Sequence, residues 1–169
     1  MEIRDYIKLE FAGVRRQVDA VLNAITNEQF NWTPPGTANP ISATFIHMLT
    51  SEDRTIQVYL QGKASLWETE GWSDKLGLKD TPGIANNWEP AKGMTWKVLP
   101  LLGYELSVRT ATAAYLDHLT AEELDRIVVV NGNERTVAEV LSRVIIHQAT
   151  HTGEIAALKG IMGIKGLAA

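Results

Sequence analysis

The chain has 169 residues, 45% of them hydrophobic, and we predict a single domain with a real core over residues 1–169. Its net charge of -4, with no basic run, argues against nucleic-acid binding, which needs clustered lysines and arginines. The N-terminus lacks the pattern of a secretion signal and no apolar run is long enough to cross a bilayer, so we expect a cytoplasmic protein with no membrane partner.

A stripe of apolar residues predicts a first long helix over residues 3–25. Its members are spaced three or four apart: Ile7, Phe11, Val14, Val18, Val21, Leu22 and Ile25. The run Thr26-Asn27-Glu28-Gln29 has the form of a capping box, which predicts one short helical turn. The breaker Thr33-Pro34-Pro35-Gly36 then ends any helix.

A second long helix is predicted from Asn39-Pro40 to Gly62. Asn is a good N-cap, and Pro suits the first helical position because its missing N–H would be unpaired there anyway. The main apolar stripe of this helix is Ile41, Phe45, Met48, Leu49, Ile56 and Tyr59.

The connection over residues 62–96, here called the Trp-rich segment, holds Trp67, Trp72, Trp88 and Trp96. A connection this long is unusual and tends to be functional or to wrap the surface. Its tryptophans could stack on a ligand or hold a substrate. Without basic partners for these tryptophans, core packing and loop anchoring are the favoured interpretation.

A third long helix is predicted with Pro100 near its start, either in the first turn or at a kink, and with His118 near its end. A cationic His at the C-terminus of a helix interacts favourably with the helix dipole, so we interpret His118 as a capping residue and not as a catalytic one. The run Thr120-Ala121-Glu122-Glu123 repeats the form of the capping box.

A short β-hairpin is predicted between the third and fourth long helices. Ile127 to Val130 are β-branched, and Asn131-Gly132 is the strongest two-residue hairpin signal. A capping box at Thr136 then begins the fourth helix, which runs to about Gly160. These elements predict an all-α fold, a four-helix bundle with one short hairpin.

A histidine pair on the fourth helix is the main candidate for chemistry. The chain has no cysteine, so a metal could be held only by His, Asp or Glu. His147 and His151 are spaced i, i+4, which places both imidazoles on one face, one turn apart, where they can hold one ion. His151 lies within the inward stripe of this helix and His147 on its edge, and imidazoles there need hydrogen-bond partners or a metal. The stripe is Val137, Val140, Val144, Ile155 and Leu158.

His47 on the second helix is the third candidate ligand. It lies off the main apolar stripe, beside Thr44, Ser51 and Thr55. Such a strip of small, mildly polar residues can line a cavity or can be plain surface. Spacing alone favours the surface.

Two glutamates lie close to these histidines in sequence. Glu52, near the centre of the second helix's stripe, could act as a general base, but an ion pair with Arg54 or with an arginine of the first helix is the favoured interpretation. Glu154 follows His151 by three residues and is a minor candidate for orienting an imidazole or binding the ion.

The order and spacing of three sequence runs resemble those of the DinB/YfiT-like superfamily, over nearly the whole chain. The runs are Phe45-Ile46-His47-Met48-Leu49-Thr50-Ser51-Glu52-Asp53-Arg54, Thr136-Val137-Ala138-Glu139-Val140-Leu141 and His147-Gln148-Ala149-Thr150-His151-Thr152-Gly153-Glu154-Ile155. The resemblance implies a four-helix bundle in which His47, His147 and His151 bind one divalent transition metal ion, usually zinc or nickel. It also implies a homodimer, and some relatives are transferases or isomerases that use a low-molecular-weight thiol.

Three functions remain open at the level of the sequence. A metal-bound thiol cofactor could attack a small-molecule substrate in a thiol-dependent S-transferase or isomerase. A metal-bound water in the same place would make a metal-dependent hydrolase. Alternatively, the protein could be a non-catalytic metal- or ligand-binding stress-response module, which a closed fourth ligand such as Glu52 or Glu154 would favour.

Overall fold

The computed structural model describes residues 1–77 and 89–167 of the chain. Its helices are α1 (Ile3–Leu22), α2 (Asn27–Asn31), α3 (Ile41–Asp53), a π-helical segment (Arg54–Leu60), α4 (Leu66–Thr69), α5 (Trp72–Leu76), α6 (Glu89–Lys92), α7 (Val98–Asp117), α8 (Ala121–Asp125) and α9 (Val137–Ile161). Strands β1 (Ile127–Val130) and β2 (Asn133–Thr136) form a hairpin between α8 and α9. The predicted helical fold with one hairpin is confirmed.

The four long helices α1, α3, α7 and α9 form the bundle. α1 and α3 each pack against both α7 and α9, which closes the four helices around a shared interior. Apolar side chains fill that interior, with Phe45, Met48 and Tyr104 towards one end and Phe11 and Leu141 towards the other. Each fully buried side chain of this size contributes about 1.5–3 kcal/mol, so burial of these stripes dominates the stability of the bundle.

Two predicted helix boundaries are wrong by a few residues. The first helix ends at Leu22 and not at residue 25, because Asn23 leaves the helical conformation and Ala24 adopts a φ of +56°. The second begins at Ile41, with Pro40 in the N-cap position at a ψ of 152°. Asn39 therefore lies one residue too early to cap the helix as predicted.

The second predicted helix is continuous in sequence but not uniform in structure. α3 passes directly into the π-helical segment, where hydrogen bonds close over five residues in place of four. The helical path ends before Gly62, whose φ of +64° suits the predicted stop. The spacing of apolar residues did not predict the π-helical geometry. Apolar residues recur only every three or four positions, so their pattern does not distinguish a segment with about one more residue per turn from an α-helix.

The local signals of caps and turns are largely confirmed. Complete capping boxes begin α2 at Thr26 and α9 at Thr136. Thr120 accepts the backbone N–H of Glu123, but the Glu123 carboxylate bonds to Arg126 and Tyr115 and does not complete a box. The hairpin turn holds Asn131 and Gly132 at φ of +50° and +79°, the positive values that a two-residue turn of this kind requires.

The described part of the Trp-rich segment is anchored to the bundle. Trp67, Trp72 and Trp96 are all buried in the apolar core, as the core-packing interpretation predicts, while Trp88 lies outside the described residues. The Asp53 carboxylate accepts the backbone N–H groups of Leu66 and Trp67, at 2.9 and 3.0 Å, and so holds the first turn of α4. Burial raises the pKa of Asp53, while these N–H groups and the Tyr104 hydroxyl oppose the rise.

Candidate metal centre

The structure brings the three predicted histidines together between two helices of the bundle. The Nε2 atom of His147 on α9 lies 3.0 Å from Nε2 of His47 on α3 and 3.1 Å from Nε2 of His151. One ligand atom from each histidine lies within 4.8 Å of the others. In the described part of the chain, this is the group of three His, Asp or Glu residues whose geometry could hold a metal ion.

The arrangement of the nitrogens fits one transition metal ion. Ligand nitrogens around a tetrahedral ion lie about 3.3 Å apart, because each is about 2.0–2.1 Å from the metal. The two short separations observed here are close to that spacing. A set of three imidazoles suits zinc, nickel and neighbouring first-row ions.

The burial of His47 corrects the sequence-based expectation. Spacing alone favoured a surface position, yet the residue is only 7% exposed. The reason is that α2, α6, α7 and α9 all pack against α3, and every residue from 41 to 50 is buried. Because neighbouring helices cover this part of α3 on all sides, it has no solvent-exposed face, and the spacing of its polar residues does not indicate which side chains are exposed.

The electrostatics of the cluster keep its central imidazole neutral. Burial lowers the pKa of His147 to about 3, and the neighbouring His151 and His47 add to this shift in the same direction. A neutral imidazole keeps a nitrogen lone pair for a metal, whereas a protonated one has none to offer.

Glu154 supports the cluster from outside. Its carboxylate lies 2.7 Å from Nδ1 of His151, the ring nitrogen that faces away from His147. A carboxylate that accepts the Nδ1–H of a histidine fixes the tautomer in which Nε2 is the ligand atom. Of the two roles considered for Glu154, the geometry matches orientation of an imidazole and not direct contribution of a ligand.

Glu52 joins all four long helices beside the cluster. Its Oε1 accepts bonds from Arg15 of α1 at 2.9 Å and from Thr112 of α7 at 2.6 Å, and its Oε2 accepts from Gln148 of α9 at 3.0 Å. The ion pair predicted for Glu52 is confirmed with an arginine of the first helix, and its partner is not Arg54. Sequence reasoning missed Thr112 and Gln148, because they lie 60 and 96 residues from Glu52 in sequence and meet it only through the packing of the helices.

An open cleft of about 520 Å³ begins at the histidines. Its lining combines hydroxyl, guanidinium and apolar side chains from α3, the π-helical segment, the hairpin and α9. The residues are Thr50, Ser51, Glu52, Arg54, Thr55, Tyr59, Val130, Asn131, Arg135, Val140, Arg143, Val144, Ile146, His147, Thr150 and His151. No described residue of the Trp-rich segment is among them.

The fourth histidine lies apart from this centre. His118 follows directly after the last residue of α7 and is exposed, as expected for a residue near the end of a helix. It lines a different surface groove, together with Gln57 and Tyr115. It therefore serves as a control position for experiments on the cluster.

Comparison with known protein families identifies the chain. The sequence model of the DinB superfamily matches residues 10–155, which include all three clustered histidines. The chain belongs to the DinB superfamily. No curated protein matches it significantly.

Two solved structures share the fold of this DinB-superfamily chain. A conserved protein from Enterococcus faecalis is 19% identical, with a TM-score of 0.82, and the match covers 96% of this chain and 99% of the other. A DinB-like protein from Bacillus cereus ATCC 10987 is 16% identical, with a TM-score of 0.66 and coverage of 96% and 95%. At these identities the likeness extends to the fold alone. Among the described residues, no helix is long and apolar enough to cross a membrane.

Proposed function

We propose that the protein is a metal-dependent enzyme in which His47, His147 and His151 hold one divalent transition metal ion, zinc or nickel. The single observation that carries the proposal is the convergence of three Nε2 atoms beside an open cleft that His147 and His151 line. The reaction is a thiol-dependent S-transfer or isomerisation of a small-molecule substrate, as the family resemblance implies. Hydrolysis by a metal-bound water is the alternative at the same site.

The surroundings of the histidines support a catalytic centre over a structural one. A structural site fills its coordination shell with protein ligands, whereas a catalytic site keeps a position open. The two acids considered as a fourth ligand are engaged elsewhere: Glu52 by Arg15, Thr112 and Gln148, and Glu154 by Nδ1 of His151. Among the residues that the structure describes, the non-catalytic alternative therefore lacks the fourth protein ligand that would favour it.

The chain's own residues prepare the site for a nucleophile. A bound divalent ion would supply Lewis-acid chemistry, lowering the pKa of a thiol or water in the open position to near neutrality. Glu154 holds the tautomer of His151, and the side chains of Val140, Val144 and Ile146 give the cleft an apolar part of its wall. Because the chain has no cysteine, the thiol of an S-transfer reaction has to come from a cofactor.

The metal site is tested by elemental analysis of the purified, tag-free protein. We expect about one equivalent of a transition metal in the wild type and a loss of it in His151→Ala. The matched control is His118→Ala, which removes an exposed imidazole outside the cluster and should leave the metal content unchanged. Absence of metal from the wild type, both as purified and after titration, would contradict the proposal.

The reaction type is tested by turnover of the metal-loaded protein. Each low-molecular-weight thiol is mixed with a chromogenic electrophile, and a chromogenic ester is supplied separately to detect hydrolysis. Metal-dependent turnover with one thiol supports the transferase, and metal-dependent ester cleavage without a thiol supports the hydrolase. If neither appears in a fully loaded protein, the non-catalytic module becomes the better description.

We further propose a homodimer and a cytoplasmic location. Leu99 and Leu106 support the dimer: they lie seven residues apart, on one face of α7, and are 80% and 67% exposed. Light scattering after size-exclusion chromatography tests the dimer, and an elution as monomer at micromolar concentration would contradict it. Cell fractionation tests the location.

A further inference from the structure

Three arginines line the same cleft as the histidines, and each comes from a different element. Arg54 begins the π-helical segment, Arg135 lies on β2, and Arg143 lies on α9. The chain as a whole has a net charge of -4, so a cleft with three guanidinium groups is a local reversal of its charge.

Among the described residues, these arginines lack the acidic partners that Arg15, Arg109 and Arg126 have. Arg15 pairs with Glu52, Arg109 with Asp19 and Glu105, and Arg126 with Glu123. Within residues 1–77 and 89–167, no carboxylate lies at ion-pair distance from the three arginines of the cleft. Glu52, the one acid among the described residues of the cleft wall, is already bound to Arg15 and does not neutralise them.

The π-helical segment places Arg54 and Tyr59 side by side in the wall of the cleft. Arg54 and Tyr59 are five residues apart, which in an α-helix would place them about 140° apart around the axis. In a π-helix, where hydrogen bonds link residues five apart, the two side chains return to one face. The Arg54 guanidinium lies 5.3 Å from the centroid of the Tyr59 ring, and the Tyr59 hydroxyl donates to Oδ1 of Asn131 at 2.7 Å. The wall is thus tied to the hairpin before any ligand arrives.

The spacing along α9 links the arginines to the histidines. Arg143, His147 and His151 follow one another at intervals of four residues, about 6 Å of helix rise each. Val140 and Val144 line the cleft on the same helix. A single small molecule can therefore touch the histidine cluster with one end, an apolar wall along its length and a guanidinium with its other end.

From these observations we propose that Arg54, Arg135 and Arg143 form an anion-binding subsite, so that the ligand of the cleft is a small molecule carrying a carboxylate or phosphate group. This inference rests on the proposed function in one respect only, namely that the same molecule is the substrate or cofactor of the metal centre. Guanidinium groups bind both kinds of anion through paired hydrogen bonds, and the positive cleft disfavours a cationic ligand.

The subsite is tested by calorimetric titration of metal-free protein, from which the metal has been stripped with a chelator and the chelator then removed by dialysis, at constant ionic strength. The probes are succinate and inorganic phosphate, with neutral succinamide as the control ligand. We expect binding of at least one anion and none of succinamide. A preference for succinate identifies a carboxylate ligand and a preference for phosphate a phosphorylated one, while failure of both anions to bind would overturn the inference.

Three variants locate the binding. Arg143→Gln and Arg135→Gln should each weaken anion binding at least tenfold, whereas Arg16→Gln, which removes an exposed guanidinium of α1 outside the cleft, should not change it. Circular dichroism checks that each variant is folded. Because Arg135 and Arg143 lie on separate elements, the test still works if one of the two variants fails to fold. Equal affinities in wild type, Arg143→Gln and Arg135→Gln would place the anion elsewhere and overturn the subsite.

This test separates the two proposals. Because the titration uses metal-free protein, anion binding can be present even if the histidines hold no metal and the enzyme proposal fails. Conversely, a protein that binds metal and turns over a neutral substrate, but binds neither anion, retains the proposed function and loses the anion subsite.

Discussion

The contact between Glu154 and His151 is where a single residue controls the chemistry of the site. The carboxylate is 52% exposed, so it adds little to stability as an ion pair. Its position at 2.7 Å from Nδ1 nevertheless decides which nitrogen of His151 carries the proton. Removing it would take away the bond that fixes this tautomer.

We predict that Glu154→Ala weakens metal binding about 10- to 100-fold, the usual effect of losing a carboxylate that orients a metal-binding histidine. Competition with a chromogenic chelator measures the affinity. Glu122→Ala, which removes an exposed acid of α8, is the matched control and should bind metal as the wild type does. Equal affinity in the two variants would mean that packing alone orients His151.

At the scale of the elements, Glu52 links α3 to α9 and fixes how the two helices pack against each other. It accepts bonds from α1, α7 and α9 while it lies on α3, close to His47 in sequence. Its partner Gln148 also donates to the backbone oxygen of Met48, at 3.3 Å. These bonds fix the register between α3 and α9, the two helices that carry the histidines. They therefore help to set the distance between His47 and His147.

We predict that Glu52→Ala lowers the free energy of unfolding by about 3 kcal/mol, because it leaves the Arg15 charge without its partner in a largely buried setting. Thr112→Val keeps the side-chain shape, removes one donor to the same carboxylate and should cost about 1 kcal/mol. Urea denaturation measures both. The reverse order of the two losses would show that the carboxylate is not the centre of this network.

At the scale of the whole molecule, the histidines join distant parts of the chain. His47 and His147 are 100 residues apart in sequence, and their Nε2 atoms meet at 3.0 Å. The cluster therefore exists only in the folded state, and an ion that binds there stabilises the fold by mass action.

We predict that saturating zinc or nickel raises the melting temperature by about 5–10 °C. The estimate combines about 2.7 kcal/mol at a metal concentration of 100 times Kd with about 2–4 °C per kcal/mol for a protein of this size. Differential scanning calorimetry measures the shift. It should vanish in His151→Ala and persist in His118→Ala, and a shift of equal size in both would point to a metal site elsewhere.

The local features of this protein were determined by its sequence. The capping boxes at Thr26 and Thr136, the Asn131-Gly132 turn and the shared face of His147 and His151 were all predicted correctly. Each depends on residues within a few positions of one another, where backbone geometry fixes the outcome.

Other features were decided only by the tertiary structure. His47 is buried because four helices cover α3, Glu52 finds its partners on three other helices, and the cleft gathers arginines from three elements. The family resemblance selected His47 as a ligand where spacing had favoured the surface. Contacts between distant segments depend on how whole helices pack, and the spacing of residues within one helix carries no information about what its neighbour presents.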